Sequence, residues 1–133
     1  MVLDTSAIVA ILQVEPEAER FAMAIEADPV RLVSAATLLE AAMVTEARHG
    51  PAGGRELDLL LHVADVQIVA VTREQAEMAR AAWRAFGKGR HPARLNYGDC
   101  FSYALSQASG EPLLFKGNDF DRTDVLAVTE TPT

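Results

Sequence analysis

At 133 residues, half of them hydrophobic and 23% charged, the chain is long enough to bury a core and too apolar for disorder. Its single cysteine, Cys100, excludes an internal disulfide and a cysteine-built zinc site, and His49, His62 and His91 lack the spacings of a histidine metal site. A net charge of −7, with a pI of about 4.9, argues against a simple nucleic-acid coat.

No apolar run approaches the roughly 18 residues that span a bilayer. No basic region precedes the first apolar run, and Asp4 interrupts it, so no signal peptide is expected. We expect one cytosolic domain over residues 1–133.

In chain order, VLD predicts a short strand and SAIVAIL a helix start. EPEAERFAMAIEA places Ala18, Phe21, Ala22 and Ile25 on one helical face. RLVS predicts a strand, and AATLLEAAMVTEARHG a helix ended by the breaker run GPAGG. RELDLLLHVA puts Leu57, Leu60, Leu61 and Ala64 on one face and leaves Leu59 and Val63 off it. VQIVAV is rich in β-branched residues and predicts a strand. Thr72 opens the next helix, with Gln75 three residues on in a capping-box arrangement. That helix has an apolar face of Ala76, Ala79, Trp83 and Phe86, and a polar face of Arg73, Glu77, Arg80 and Arg84. A loop, GKGRHPARLNYG, leads to the helix DCFSYALSQA, and PLLF and VLAV close the chain as short strands. Near-continuous apolar strands alternating with helices suit a parallel sheet covered on both faces. The predicted fold is a three-layer α/β/α sandwich with a mainly parallel central sheet.

Four carboxylates stand where charge is costly. Asp4 ends the first strand, where it either caps the following helix through Ser6 and Ala7 or answers a base or cation. Glu40 is the only charged residue from Ala35 to Thr45, with either a salt bridge or a site as its reason. Asp99 opens an apolar helix, where the dipole stabilises it and capping is a sufficient explanation. Asp119 and Asp121 follow the PLLF strand and Asp124 precedes the last one, in a stretch that also reads as a solvated turn. Ligands of open parallel sheets collect at the carboxyl ends of strands. Carboxylates converging there repel one another unless a divalent cation joins them, and oxygen-only ligation suits Mg²⁺ or Mn²⁺. Cys100 reads as a core residue. Between Glu77 and Asp99 there is no acid, and that gap holds Arg80, Arg84, Lys88, Arg90 and Arg94, five of the twelve basic residues.

The order DTSA, then LLEAAMV, NYGDCFSYALS and LLFKGNDF, resembles the PIN-domain family, and more closely the VapC-type toxins of bacterial type II toxin–antitoxin pairs. The resemblance runs from Met1 to about Val128. It implies an α/β/α sandwich and a metal-dependent endoribonuclease whose acids fall on Asp4, Glu40, Asp99 and Asp119, with Asp121 as a less constant extra acid. It further implies Mg²⁺ or Mn²⁺ held by Asp4 and Asp99, with Glu40 and Asp119 binding directly or through water. Ser6 falls where the family often has a small hydroxyl residue beside the metal, and also reads as a helix cap. By the same resemblance, Arg84, Lys88, Arg90 and Arg94 are candidates to grip an RNA backbone. The plain alternative for Arg80 and Arg84 is the solvated face of a helix. A homodimer and a cognate VapB-type antitoxin, which places a basic side chain into the acidic cleft, are implied as partners. Leu59 and Val63 are interface candidates, and equally read as ordinary exposed apolar residues.

Two rivals stand beside this reading. One is a catalytically inactive PIN-like module that only binds RNA or antitoxin. The other is a haloacid-dehalogenase-like phosphatase, which needs a second aspartate two positions after the first, where this chain has Ser6.

Overall fold

A computed structural model describes residues 1–129. The elements run β1 (Val2–Leu3), α1 (Thr5–Leu12), α2 (Ala18–Ala27), β2 (Leu32–Ser34), α3 (Ala35–His49), α4 (Pro51–Val63), β3 (Gln67–Val69), α5 (Arg73–Phe86), α6 (Tyr97–Ser109) and β4 (Leu113–Leu114). The four strands form one sheet in the order β3-β2-β1-β4, and every pairing is parallel. Val2 lies opposite both Leu32 and Leu113, so β1 is the central rung of the register.

The sheet divides the apolar core in two, and β1 shows how. Successive strand side chains point to opposite faces. Met1 and Leu3 enter the cluster built with Ala7, Ile8, Phe21, Ile25, Ala41, Leu57 and Leu61 from α1 to α4. Val2 enters the other cluster, with Ala79 and Ala82 of α5 and Cys100, Tyr103, Ala104 and Leu105 of α6. The two faces are thus covered by different helices, giving the predicted three layers. Burial on both sides holds for β1 and for β4; β3 is an edge strand whose Gln67 and Ile68 are exposed.

The amino terminus closes one end of the sheet. The Met1 ammonium is buried and donates to Asp28 Oδ2 at 2.9 Å, Glu111 Oε2 at 3.1 Å and the Val30 carbonyl at 2.6 Å. Burial pushes the Asp28 carboxyl up. The hydrogen bond from the ammonium, the Val30 amide and the nearby positive charges outweigh it, and the carboxyl lies below its usual range.

The structure departs from the sequence expectations in several places. GPAGG is not a loop: Gly50 alone breaks the helices, at φ 65°, and α4 begins at Pro51. Proline suits the first helical turn because its missing N–H is an orphan there anyway. Gly53 is needed inside α4 because a Cβ at that position would overlap the Thr45 carbonyl of α3. In α2, Phe21 and Ile25 centre the buried face and Ala24 joins it, while Ala22 is exposed. In α5 the buried face is Gln75, Ala79 and Ala82 with Met78 and Phe86 beside it; Ala76 and Trp83 lie outside. Gln75 turns inward, so of the capping box the Gln75 amide bond to Thr72 Oγ1, 3.1 Å, is the half that forms. The last helix starts two residues before DCFSYALSQA, because Asn96 caps it. VLAV is not a strand. Against a two-residue β4 it makes a single parallel bridge, Leu113 to Ala127.

Among the described residues no helix is long and apolar enough to cross a membrane.

Candidate active site

The strand order fixes where a site belongs. The chain winds from β1 outward to β2 and β3, then returns to place β4 on the other side of β1. A crevice opens at such a reversal, outside the carboxyl ends of the two strands. Asp4 follows β1 directly, and the segment carrying Asp119 follows β4.

Asp4 is 4% exposed, so its carboxyl oxygens find their hydrogen-bond partners inside the fold. Strand alternation returns its side chain to the side of Val2, where α6 lies. There Ser102 Oγ donates to Asp4 Oδ1 at 2.6 Å. On the other oxygen, Ser6 donates twice, from its amide at 3.1 Å and its hydroxyl at 2.6 Å. Asp4 is therefore the N-cap of α1, through Ser6 without Ala7, and a buried carboxylate of the crevice at once. The Ser6 hydroxyl in turn accepts the Lys116 amide at 2.9 Å, which ties the end of β4 to the end of β1.

Asp99 sits in the first turn of α6. Its amide donates to Asn96 Oδ1 at 2.9 Å and its Oδ2 accepts the Asn96 amide at 3.0 Å, a complete capping box. The capping explanation is thus correct and insufficient. Burial is the main force pushing the Asp99 carboxyl up, to about 7; the Asn96 amide opposes it, and the charges of Asp4, Asp119 and Glu40 add to it. These repelling neighbours show that the four carboxylates singled out in the sequence converge on one place.

Glu40, half-buried on α3, accepts a short hydrogen bond from Thr5 Oγ1. Its carboxylate lies against the bare Cα of Gly98, where any Cβ would overlap it. Asp119 is exposed on the turn after β4, and its neighbour Phe120 is the anchor, 3% exposed and 5.1 Å from the Phe115 ring. Asp121 is exposed on the same turn. Asp124 is not among the charges that press on Asp99 and accepts the Tyr103 hydroxyl at 2.6 Å. Cys100 is buried; burial first, and Asp99 second, push its thiol up to about 11, so it is inert in the core.

No three His, Cys, Asp or Glu side chains among the described residues form a ready-made coordination cage. The donor set nevertheless fits a hard divalent cation. All its members are carboxylates, and the oxygens of Asp4, Glu40 and Asp99 that accept a hydroxyl or an amide keep acceptor capacity beyond those partners. The cluster carries like charge, and among the described residues no basic side chain is bonded to Asp4, Glu40 or Asp99. A broad depression of about 630 Å³, lined by Leu12, Gln13, Val14, Arg48, His49 and Gly53, holds none of the four acids.

The acid-free stretch becomes the end of α5 and the loop to α6. Buried Ala93 and Leu95 pin the loop, while Arg84, Lys88, Arg90 and Arg94 all stay exposed. The Arg90 guanidinium stacks on the Trp83 ring at 4.1 Å, which explains why that ring leaves the buried face. The loop ends at Asn96, the cap of the Asp99 helix. The four bases approach the acids along the chain and are not bonded to them.

Thr5, Ser102, Asn96 and Gly98 also build the site, and sequence reasoning missed them. The spacing of Asn96 and Asp99 is a usable capping signal. Ser102 lies one helical turn after Asp99, on a face otherwise apolar. Nothing local distinguishes Thr5 or Gly98.

Residues 1–126 match the PIN domain family model. The chain is 63% identical over 128 residues to Ribonuclease VapC30 of Mycobacterium tuberculosis, covering 96% of this chain and 98% of that one. It is 62% identical over 128 residues to Ribonuclease VapC of Mycolicibacterium smegmatis, covering 96% and 99%. Among solved structures it resembles Mycobacterium tuberculosis VapC20, a Sarcin-Ricin loop cleaving toxin, with TM-score 0.77, 18% identity and coverage of 96% and 97%. It also resembles VapBC2 from Rickettsia felis bound to a promoter DNA fragment, with TM-score 0.75, 12% identity and 98% of each chain covered. At those identities the structural likenesses speak for the fold.

Proposed function

The chain belongs to the PIN domain family, and from that premise we propose that it is an endoribonuclease, the toxin of a type II toxin–antitoxin pair, working with Mg²⁺ or Mn²⁺. The observation that carries the metal-dependent part is the Asp99 carboxyl, buried at the end of the sheet and pressed by the charges of Asp4, Glu40 and Asp119. Three anions around one buried carboxyl would be a liability unless the site is meant for a cation.

In this reading Asp4 and Asp99 would hold the ion, with Glu40 and Asp119 completing the set of carboxylate donors. When bound, a divalent cation lowers the pKa of water and stabilises charge on a phosphodiester. The chain's own work is positioning. Ser6 and Ser102 fix the plane of the Asp4 carboxylate, the Asn96 capping box fixes Asp99, and Thr5 with Gly98 fixes Glu40. Arg84, Lys88, Arg90 and Arg94 serve as phosphate contacts leading to the acids. A cognate antitoxin and a second copy of the chain are the expected partners, and exposed Leu59 and Val63 on α4 are available to either.

The test is cleavage of bulk cellular RNA by purified protein free of antitoxin. Cleavage should need Mg²⁺ or Mn²⁺, stop with EDTA, and fall by at least about a hundredfold in Asp4→Asn and Asp99→Asn with the fold intact. Metal-independent cleavage would sink the mechanism. Phosphate release from phosphomonoesters without RNA cleavage would favour a phosphatase.

A further inference from the structure

Tyr97 is the most conspicuous aromatic side chain on the surface. It is the first residue of α6, two before Asp99 and next to Gly98, on which the Glu40 carboxylate rests. It is 82% exposed, the most exposed of the large aromatic residues, although Tyr normally hides much of its ring. It meets the ring of Phe101, one helical turn along, in a near-perpendicular contact with centroids 4.9 Å apart and planes at 80°. Such an edge contact holds the ring in place and leaves it broadly open to a flat ligand. With the ring this exposed, burial does not account for an aromatic residue at this position.

The surroundings select the ligand. Along the chain, Tyr97 is followed by Gly98, which packs against the Glu40 carboxylate, and then by Asp99. It is preceded along the chain by the basic loop that ends at Asn96 and carries Lys88, Arg90 and Arg94. An exposed aromatic ring set on the chain between a basic loop and a cluster of carboxylates suits single-stranded RNA held with one base unstacked. We propose that Tyr97 is a stacking platform for a nucleobase of the RNA substrate next to the scissile phosphate, and that Phe101 is the side chain that holds the platform upright. This rests on the endoribonuclease reading above. It adds a substrate contact that acts on binding, separate from the acids.

The experiment uses the intact protein and a short single-stranded RNA. Its Kd is measured by fluorescence anisotropy in EDTA, so that no cleavage intervenes, and kcat and KM are measured separately with Mg²⁺ or Mn²⁺. Tyr97→Ala and Tyr97→Leu should each weaken binding by about tenfold or more, because base stacking is removed even when apolar bulk is kept. The Tyr97→Phe variant should bind within about twofold of wild type. The loss should appear in KM more than in kcat, and the salt slope of binding should be unchanged, because every phosphate contact is kept. Folding is checked by circular dichroism, and the exposure of Tyr97 predicts little change. Wild-type affinity in Tyr97→Ala, or equal loss in Tyr97→Phe and Tyr97→Ala, overturns the assignment. So does a shift in oligomeric state with RNA affinity unaltered, which would make the ring a protein contact. If wild-type protein neither binds nor cleaves RNA, the endoribonuclease reading fails first and takes this one with it.

Discussion

Asp99 is 9% exposed, and its carboxyl titrates near 7 instead of near 4. A folded chain that keeps this proton between about pH 4 and pH 7 binds more protons than the unfolded chain does. Stability therefore falls as pH rises through that window. Asp99→Asn, which keeps the shape and can still accept the Asn96 amide, should be more stable than wild type at pH 7, on the order of 2–4 kcal/mol, and indistinguishable from it near pH 4. Thermal melts across that range check this, and a variant that melts lower than wild type at pH 7 would contradict it. Adding Mg²⁺ or Mn²⁺ at pH 7 should raise the wild-type midpoint and leave Asp99→Asn nearly unmoved. Ser102→Ala works in the opposite sense. It removes the hydroxyl from buried Asp4 Oδ1 and should cost about 1–3 kcal/mol, read by denaturant titration. At this scale the acids were legible because each is a charge out of place: Asp4 in an apolar run, Glu40 alone on its helix, Asp99 opening an apolar one. The hydroxyls that serve them were not, because serine and threonine near helix starts are common for other reasons.

Helix packing depends on two glycines that behave differently. At Gly53 a methyl group would overlap the Thr45 carbonyl, which is backbone and cannot move without parting α3 from α4. At Gly54 the neighbour is the far end of the Glu46 side chain, which can swing aside. Gly53→Ala should therefore lose about 1–3 kcal/mol despite alanine's better helix propensity, whereas Gly54→Ala should be neutral or gain up to about 1 kcal/mol. Equal midpoints for the two would show that the helices do not cross there. Gly98→Ala separates stability from function. Its nearest neighbour is the end of the Glu40 side chain, which a Cβ would push out of the place that Thr5 and Gly98 give it, so the variant should fold at least as well as wild type and lose activity by about tenfold or more. These crossings explain why the composition of GPAGG points to a loop that does not form. Glycine that breaks an isolated helix is also the residue that lets two helices touch, and only tertiary structure decides which. The face of α5 differs from its periodicity for a related reason. Trp83 counts as apolar in any such pattern, yet the Arg90 guanidinium gives it a partner at the surface.

At the scale of the molecule, the net charge of −7 conceals a segregation. Four of the acids converge at the carboxyl end of the sheet, while the acid-free stretch that leads along the chain to Asp99 carries Lys88, Arg90 and Arg94. Arg90→Ala combined with Arg94→Ala should weaken binding of single-stranded RNA and flatten its dependence on salt, by about 0.7 in log–log slope for each phosphate that is no longer neutralised. An unchanged slope would remove the loop from the binding surface. The alternation of helices and apolar runs made the layered parallel sheet legible. The strand order, and with it the reversal beside β1 that defines the crevice, depends on pairings between residues about 110 positions apart, such as Val2 with Leu113.

The alternation along β1 has a genetic consequence. Val2 faces one core and Leu3 the other, and Asp4 reaches Ser102 because it returns to the side of Val2. Adding or deleting one codon between Val2 and Asp4 preserves the reading frame but reverses this parity. It turns the carboxylate toward the wrong layer and an apolar side chain toward the crevice. Among cells that escape expression of this chain, such in-frame single-codon insertions and deletions should therefore recur beside missense changes at Asp4 and Asp99. Equivalent changes in the loop after α1 should be rare among the escapees.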